Sequence, residues 1–373
     1  MKIGITCHPS AGGSGILATE LGIALAQRGH QIHFTTFDPL FRLRNFRENI
    51  VSHTVEQITY PVFKSPPHTL ALASKMAEVA EEVGIDIWHT HYAIPYAACA
   101  LMARQMLPQE QQFKIITTLH GTDITLVGSD PSYHRLTRYV IEQSDAVTAV
   151  SDWLNKETQK TFQLTRPVRT IYNFWNEDRF NSSAPEQRCC LAADDEKIIM
   201  HISNFRPVKR VTDAVRAFKR ITDRVPARLI MVGDGPERMS AVGVARQLGI
   251  ADRIKFLGTY ENIEGILPFA DLILQPSEHE SFGLVPLEAM ACEVPVVATA
   301  SGGICEVVEH GVTGYLCEVG DTEAMARCAI EILTDREKAI SMGRSGRERA
   351  WRHFERDMIV NQYEALYNEV FNG

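Results

Sequence analysis

Short runs rich in Val, Ile and Thr alternate with longer stretches of helical apolar spacing, and the alternation happens twice along the chain. In the first series the pattern predicts strands at 2–7, 31–36, 85–89, 114–119 and 146–150, with helices at 14–28, 69–82, 95–106 and 134–143. In the second it predicts strands at 198–202, 228–232, 254–257, 272–275 and 294–298, with helices at 211–224, 237–248, 263–267, 282–292 and 322–333. Runs that are apolar throughout are buried on both faces, and a parallel sheet covered by crossover helices satisfies that demand. The fold class is therefore α/β, with two doubly wound domains. Arg166-Pro167 and the polar stretch 176–187 read as a connector, which places the domains at 1–170 and 171–350. The terminal segment, 351–373, reads as an amphipathic helix that completes the first domain. A length of 373 residues agrees with two domains at about 150 residues each.

Charge and composition remove several classes of function. The net charge is −8, against the basic excess that nucleic-acid binding normally needs, so no nucleic-acid partner is expected. Residues 93–103 form the longest strongly apolar stretch, interrupted by Pro95 and Tyr96, whereas a membrane span needs about 20 apolar residues. The first residues lack a signal-peptide pattern, and the eight cysteines contain no CxxC pair. They read as small buried hydrophobes in a reducing cytoplasm. No Asp-x-Asp and no His/Asp ligand cluster appears, so neither a metal nor any other cofactor is expected.

Ligands of such sheets bind beyond the carboxyl ends of the strands, so chemistry belongs to the strand-to-helix loops. The first loop runs Cys7-His8-Pro9-Ser10-Ala11-Gly12-Gly13-Ser14-Gly15 and exposes backbone amides at a helix start, where negative charge is favoured. Gly13-Ser14-Gly15-Ile16-Leu17-Ala18 also fits a dinucleotide fingerprint, with Asp38 in the place of its acid. That fingerprint puts its first glycine at the end of the strand, whereas His8 to Gly12 intervene here. The longer loop suits an anionic group better than a pyrophosphate lying across the first strand.

Glu280-Ser281-Phe282-Gly283-Leu284-Val285-Pro286-Leu287-Glu288 follows a predicted buried strand, and Pro286 suits a helix's first turn. With the helix starting near Phe282, the amides of Phe282, Gly283 and Leu284 can hold a diphosphate. Glu288, about one turn further in, can accept both hydroxyls of a ribose, and Glu280 can meet a sugar beyond the diphosphate. Asn204-Phe205-Arg206-Pro207-Val208-Lys209-Arg210 enters another helix. Basic residues at a helix start oppose the dipole unless an anion joins them, so Arg206 and Lys209 are the expected phosphate contacts. Gly302-Gly303 opens a further helix.

Taken together, the Gly12–Gly15 loop, the Asn204–Lys209 turn, Glu280 and Glu288 around Ser-Phe-Gly-Leu, and Gly302-Gly303 resemble the retaining GT-B glycosyltransferases of the glycogen-synthase-like family. The resemblance covers essentially the whole chain. It implies two Rossmann-like domains facing an interdomain cleft, with a sugar nucleotide held mainly by the second and an acceptor by the first. On it, Gly13, Ser14, Asn204, Arg206, Lys209, Ser281, Phe282, Gly283, Leu284 and Glu288 bind the donor, and His120, Glu280 and Lys209 serve the chemistry. Relatives usually carry Arg five residues before the lysine; here that position is Asn204, and Arg206 stands three before.

Narrower features resemble a branch of the family that joins N-acetylglucosamine, from UDP-N-acetylglucosamine, to L-malate in bacillithiol biosynthesis. They are His8-Pro9, His89-Thr90-His91-Tyr92, Leu119-His120-Gly121-Thr122-Asp123-Ile124-Thr125 and Ser203–Arg210. Malate is a small dianion, and Ser14, Tyr92, Thr118, Thr122, Lys64 and Arg138 are the candidates to hold it. The chain is a candidate homo-oligomer. Two other enzyme readings stay open, a transferase for another small acceptor such as inositol phosphate and a UDP-sugar epimerase. A two-domain solute receptor is the non-enzymatic alternative.

Overall fold

The computed structural model describes residues 1–9, 12–40, 42–43, 46–56, 67–180, 191–260 and 262–373. Lys64, Cys189 and Cys190 lie outside them. The chain divides into two compact units, Met1–Asn173 with Asp357–Gly373, and Phe174–Arg356.

Unit 1 runs β1 (Lys2–Thr6), α1 (Gly13–Gln27), β2 (Gln31–Thr36), β3 (Ile50–Thr54), α2 (His68–Val83), β4 (Ile87–His91), α3 (Ala98–Met106) and β5 (Lys114–Leu119). It continues through α4 (Thr122–Thr125), α5 (Pro131–Gln143), β6 (Ala146–Ala149), α6 (Asp152–Phe162) and β7 (Arg169–Thr170). The described strands form one parallel sheet in the order β3-β2-β1-β4-β5-β6-β7. Its centre is dry: Ile3 pairs with Ile32 on one side and Ile87 on the other, all fully buried. Trp88 lies flat over Gly4 and donates its indole N–H to Thr6 Oγ1 at 2.9 Å.

Unit 2 runs β8 (Lys197–Ile202), α7 (Val211–Thr222), β9 (Ala227–Val232), α8 (Arg238–Gln247), β10 (Ile254–Gly258), β11 (Leu272–Gln275) and α9 (Leu284–Ala291). Then follow β12 (Val296–Thr299), α10 (Ile304–Val307), β13 (Gly314–Cys317), α11 (Thr322–Thr334) and α12 (Arg336–Phe354). Its described strands are also parallel, in the order β10-β9-β8-β11-β12-β13. One apolar face of α7 (Val211, Ala214, Val215, Phe218, Ile221) packs into a core with Leu229, Met231 and Leu272.

The predicted terminal helix is two helices. The backbone turns extended at Glu355 (φ −67°, ψ 140°), and α13 (Arg356–Asn372) follows. The break has a cause: Phe354 is buried edge-on against Phe282, and its carbonyl accepts the Trp175 N–H at 3.4 Å. Trp175 also donates Nε1–H to the Ala350 carbonyl and meets Trp351 edge-to-face, while Arg356 pairs with Glu177 and Asp178. The residues entering unit 2 are thereby tied to those leaving it. Beyond the break, α13 belongs to unit 1, where Arg28 pairs with Asp357 and Glu364 and Arg169 pairs with Glu369.

Other departures have local reasons. The strand expected at 85–89 is β4, two residues later, because Ile87 is the residue in register with both Ile3 and Lys114. Helix 263–267 is replaced by two short turns, Ile263–Gly265 and Leu267–Phe269, as Gly265 and Pro268 allow no longer run. Edge strands β3 and β13 carry few buried side chains and so gave little apolar signal. Cys7, Cys99, Cys292 and Cys317 are buried thiols, but Cys305 is exposed.

The Gly4–Trp88 contact predicts a stability cost. A Cβ at Gly4 would stand 2.7 Å from the indole, which is fully buried and has no room to retreat. Gly4→Ala should cost about 1–3 kcal/mol. Gly243→Ala, in α8 with open space around it, should be neutral or stabilise by about 0.5–1 kcal/mol. Thermal unfolding of the two variants checks the contrast.

Candidate active site

In unit 2 the loops after β8 and β11 meet at an ion pair. Beyond β8, Phe205 (φ 41°) and Arg210 (φ 48°) adopt left-handed backbone, unusual for side chains of their size, and between them Pro207–Lys209 forms one tight turn. The strain is held from outside. Gly233 and Gly235, after β9, press so close that a Cβ on either would stand 1.8 or 2.1 Å from the carbonyl oxygens of Ser203 and Asn204. The Glu278 N–H donates to the Val208 carbonyl at 2.8 Å, which joins the two loops. Lys209 Nζ then reaches Glu280 Oε1 at 2.7 Å.

The same oxygen accepts from Ser277 Oγ at 2.8 Å and Gln275 Nε2 at 2.9 Å. Burial works against ionisation of Glu280, but the Lys209 charge and these three hydrogen bonds outweigh it and hold the carboxyl below its ordinary range. Its backbone is fixed as well: the Gly303 N–H donates to the Glu280 carbonyl at 2.8 Å, and a Cβ at Gly302 (φ 81°) would stand 2.2 Å from that oxygen. Behind the pair, His201 is fully buried between the Leu274 carbonyl and Ser203 Oγ, and burial pushes it down to about 4.

Helix α9 begins later than the sequence implies. Gly283 (φ 105°) caps it and Leu284 is its first residue. Leu287 spends its N–H on the Gly283 carbonyl and Pro286 has none, so the first-turn amides of Leu284 and Val285 lead, with no acidic residue beside them. The Phe282 side chain is core, packed on Phe354, so Phe282 can offer a ligand its backbone only. Glu288 lies one turn in and is buried, Ser281 precedes the cap, and Asn204 and Arg206 are exposed on the facing loop.

In unit 1, the carboxyl ends of β4 and β5 bring histidines together. His91 Nδ1 and His120 Nε2 are 2.9 Å apart, and His89 lies beneath, its nitrogens 2.7 Å from Tyr367 OH and Thr118 Oγ1. Burial pushes His89 and His120 down to about 3 and lowers His91 as well, so the trio is neutral at pH 7. Asp123 ties the loops: Oδ2 accepts the Ala93 N–H at 2.9 Å, and Oδ1 accepts those of His120 and Gly121 at 3.2 and 3.0 Å. Tyr92, strained at φ 94°, donates its hydroxyl to Ser14 Oγ at 2.9 Å. Ser14 is in the first turn of α1, whose cap is Gly12 and which has no acidic residue there.

Of the residues singled out in the sequence, Gly13, Ser14, Tyr92, His120 and the exposed Thr122 gather at this end of the unit 1 sheet. Two candidates do not. Thr118 is buried, and its hydroxyl is taken up by His89, Thr148 and Tyr363. Arg138 reaches back to the Gln163 carbonyl at the far end of α6. Lys64 lies outside the described residues. Sequence reasoning quoted His91 and Asp123 within wider motifs without giving either a role, and singled out neither Gln275, Ser277, His201 nor the Gly233-Asp234-Gly235 turn, although the last was readable as a glycine pair directly after a strand. Among the described residues no group of three His, Cys, Asp or Glu could hold a metal ion, and no helix is long and apolar enough to cross a membrane.

Two Rossmann-like parallel units, with these loop clusters at the carboxyl ends of their strands, define a glycosyltransferase of the GT-B fold. Residues 11–179 match Glycosyltransferase Family 4, residues 186–349 match Glycosyl transferases group 1, and the chain belongs to this glycosyltransferase family. It is 51% identical over 372 residues to the N-acetyl-alpha-D-glucosaminyl L-malate synthase of Bacillus anthracis, covering 99% of this chain and 97% of that protein. The fold is shared with the sucrose-phosphate synthase of Thermosynechococcus elongatus (TM-score 0.84, 23% identity, 100% and 99% of the two chains). It is shared also with Anabaena Alr3699/HepE solved with UDP and glucose (TM-score 0.80, 22% identity, 99% of each chain).

The neutral histidines fix a pH dependence. Above pH about 6.5 folded and unfolded chains carry the same charge at His89 and His120, so their contribution to stability is complete. As pH falls from there toward about 3, the unfolded chain binds protons the folded one refuses, and stability drops by about 1.4 kcal/mol per pH unit for each histidine. Asp123, pushed up by burial to about 6, acts oppositely between about 4 and 6 and offsets one of them. Unit 1 should therefore melt at progressively lower temperature below neutral pH. Scanning calorimetry of His89→Gln should return a shallower slope than wild type.

Proposed function

We propose that the protein transfers N-acetylglucosamine from UDP-N-acetylglucosamine to the hydroxyl of L-malate with retention of anomeric configuration, the first step of bacillithiol biosynthesis. The observation that carries this reading is the likeness to the Bacillus anthracis malate synthase over practically the entire length of both chains. The donor belongs to unit 2. Lys209 has three N–H donors and spends one on Glu280, which leaves two for the diphosphate, and the α9 amides add dipolar stabilisation. Arg206 is the second cation, Glu288 takes the ribose hydroxyls, and Glu280 orients the sugar, with Asn204 and Ser281 as neighbouring donor contacts.

The acceptor belongs to unit 1, where Ser14, Tyr92 and Thr122 offer hydroxyls, while Gly13 and Ser14, the donor contacts of this unit, stand in the first turn of α1 with their amides leading. In the transfer, the malate oxygen bonds to the anomeric carbon as that carbon's bond to the phosphate oxygen breaks. The malate hydroxyl proton passes to the departing phosphate, so UDP leaves and no protein nucleophile is consumed. The protein contributes position and charge stabilisation. The reaction takes place in the cytoplasm, where the buried thiols stay reduced, and the chain is a candidate homo-oligomer.

Malate also fits better than inositol phosphate. Phosphorylated acceptors call for clustered cations, and among the described residues the candidate Arg138 is spent on the Gln163 carbonyl. Incubation with UDP-N-acetylglucosamine should release UDP only once L-malate is added, with a product mass equal to N-acetylglucosamine plus malate less one water. Conversion without an acceptor would identify an epimerase instead. Lys209→Ala should lower kcat by roughly 10²–10³. Tyr92→Phe should mainly raise the KM for malate, and steady-state kinetics distinguishes these two outcomes.

A further inference from the structure

His91 has no part in the chemistry described so far, yet it is 2% exposed and touches His120. The pair is neutral, so one proton lies between His91 Nδ1 and His120 Nε2, and either nitrogen can own it. The other nitrogen of each ring discriminates. His91 Nε2 is buried and has no hydrogen-bond partner among the described residues. If His120 owned the shared proton, neutral His91 would carry its own proton on Nε2, as a buried N–H with nothing to receive it. If His91 owns it, Nε2 is left with only an unused lone pair. Buried orphan N–H groups are the rarer and costlier defect.

We propose that His91 is a positioning residue that sets the tautomer of His120. His91 Nδ1–H donates to His120 Nε2, and His120 therefore carries its proton on Nδ1. His120 is half-buried, and Nδ1 meets no partner among the described residues, so it is the nitrogen left to face a ligand. The second nitrogen of a histidine takes its role from the bond the first one makes. The consequence for the reaction rests on the glycosyl-transfer reading: His120 meets a substrate oxygen as a neutral N–H donor and cannot take a proton there as a base. The hydroxyl proton then has the leaving phosphate as its destination.

Neighbouring groups keep the pair in this state. Asp123 holds the His120 and Gly121 amides, which fixes the backbone that carries the ring. Stacking of the His91 and His120 rings at 5.1 Å, and a tilted contact of the Tyr92 ring with His120 at 5.1 Å, limit rotation of the imidazole. His89 takes no share of the proton, because both its nitrogens are already engaged with Tyr367 and Thr118.

The test reads the proton directly. Ring ¹⁵N shifts of His120 in the ligand-free full-length protein, assigned through His120→Gln, should report protonation at Nδ1; protonation at Nε2 overturns the inference. His91→Asn keeps an N–H donor near the place of Nδ1, and should retain the tautomer and kcat/KM within about threefold. His91→Ala should let both tautomers appear and lower kcat/KM about tenfold or more, as loss of a ligand-orienting hydrogen bond commonly does. Equal impairment of the two variants, or an unchanged tautomer in His91→Ala, overturns it. The ligand-free spectrum is independent of substrate identity, so a failed malate assay beside a protonated Nδ1 would sink the functional reading and leave this one standing.

Discussion

A carboxylate that has lost most of its water stays ionised only if its surroundings replace it, and the unit 2 site is built around meeting that demand at the partly buried Glu280. Three donors converge on one oxygen, and each comes from a different constraint. Gln275 is the last residue of a central strand, Ser277 sits in the turn that leaves it, and Lys209 ends a loop on the neighbouring strand. The strained backbone at Phe205 and Arg210 follows from this, because the loop after β8 must double back to deliver the ammonium group. Gly233, Gly235 and Gly302 let other chain segments press on these loops at distances that no side chain would permit. The electrostatic demand of one side chain thus explains glycines on two other loops.

Unit 1 solves a different problem with neutral groups. Its site is floored by imidazoles that burial keeps uncharged, each given a fixed partner from the sheet or from α13. The crossing of the last helix back to unit 1 is therefore more than a topological detail. Tyr363 and Tyr367 bring hydroxyls to Thr118 and His89, so the final residues of the chain complete the polar layer beneath His120. The break at Glu355 makes the crossing possible, and the Phe354 carbonyl, turned toward Trp175, is part of what makes the break.

Which parts of this were legible follows from what a sequence encodes locally. The central strands were plain because buried parallel strands are apolar on both faces, as at residues 114–119 and 272–275. Edge strands such as Ile50–Thr54 were silent for the same reason, since their exposed residues carry no such signal. Lys209, Glu280 and the glycine pair at 302–303 drew attention because each stands in a loop directly after a strand, and the structure brings them together around one carboxylate. Thr118 misled because its neighbours in sequence belong to the site, while a strand alternates its faces and turns this hydroxyl toward Thr148 and α13. Arg138 misled by charge alone, as helical position decided that it points to the far end of the sheet. The histidine pair was out of reach, because 29 residues separate His91 from His120 and only strand adjacency brings them together.

The two sites differ in a way that suits the chemistry proposed for them. In the proposed reaction a diphosphate leaving group gains charge as the sugar departs, and unit 2 offers an ammonium group held by a countercharge, whose remaining N–H donors can turn toward the new charge. An acceptor hydroxyl must lose a proton only as its new bond forms, and a strong base beside it would invite premature ionisation and reaction with the wrong partner. A floor of neutral histidines, with hydroxyls from Ser14, Tyr92 and Thr122 above it, supplies hydrogen bonds without supplying such a base. The same low-dielectric burial that depresses the histidines strengthens each of those hydrogen bonds. In the proposed reaction, charge is thus concentrated in the unit assigned to the leaving group and kept out of the unit assigned to the acceptor.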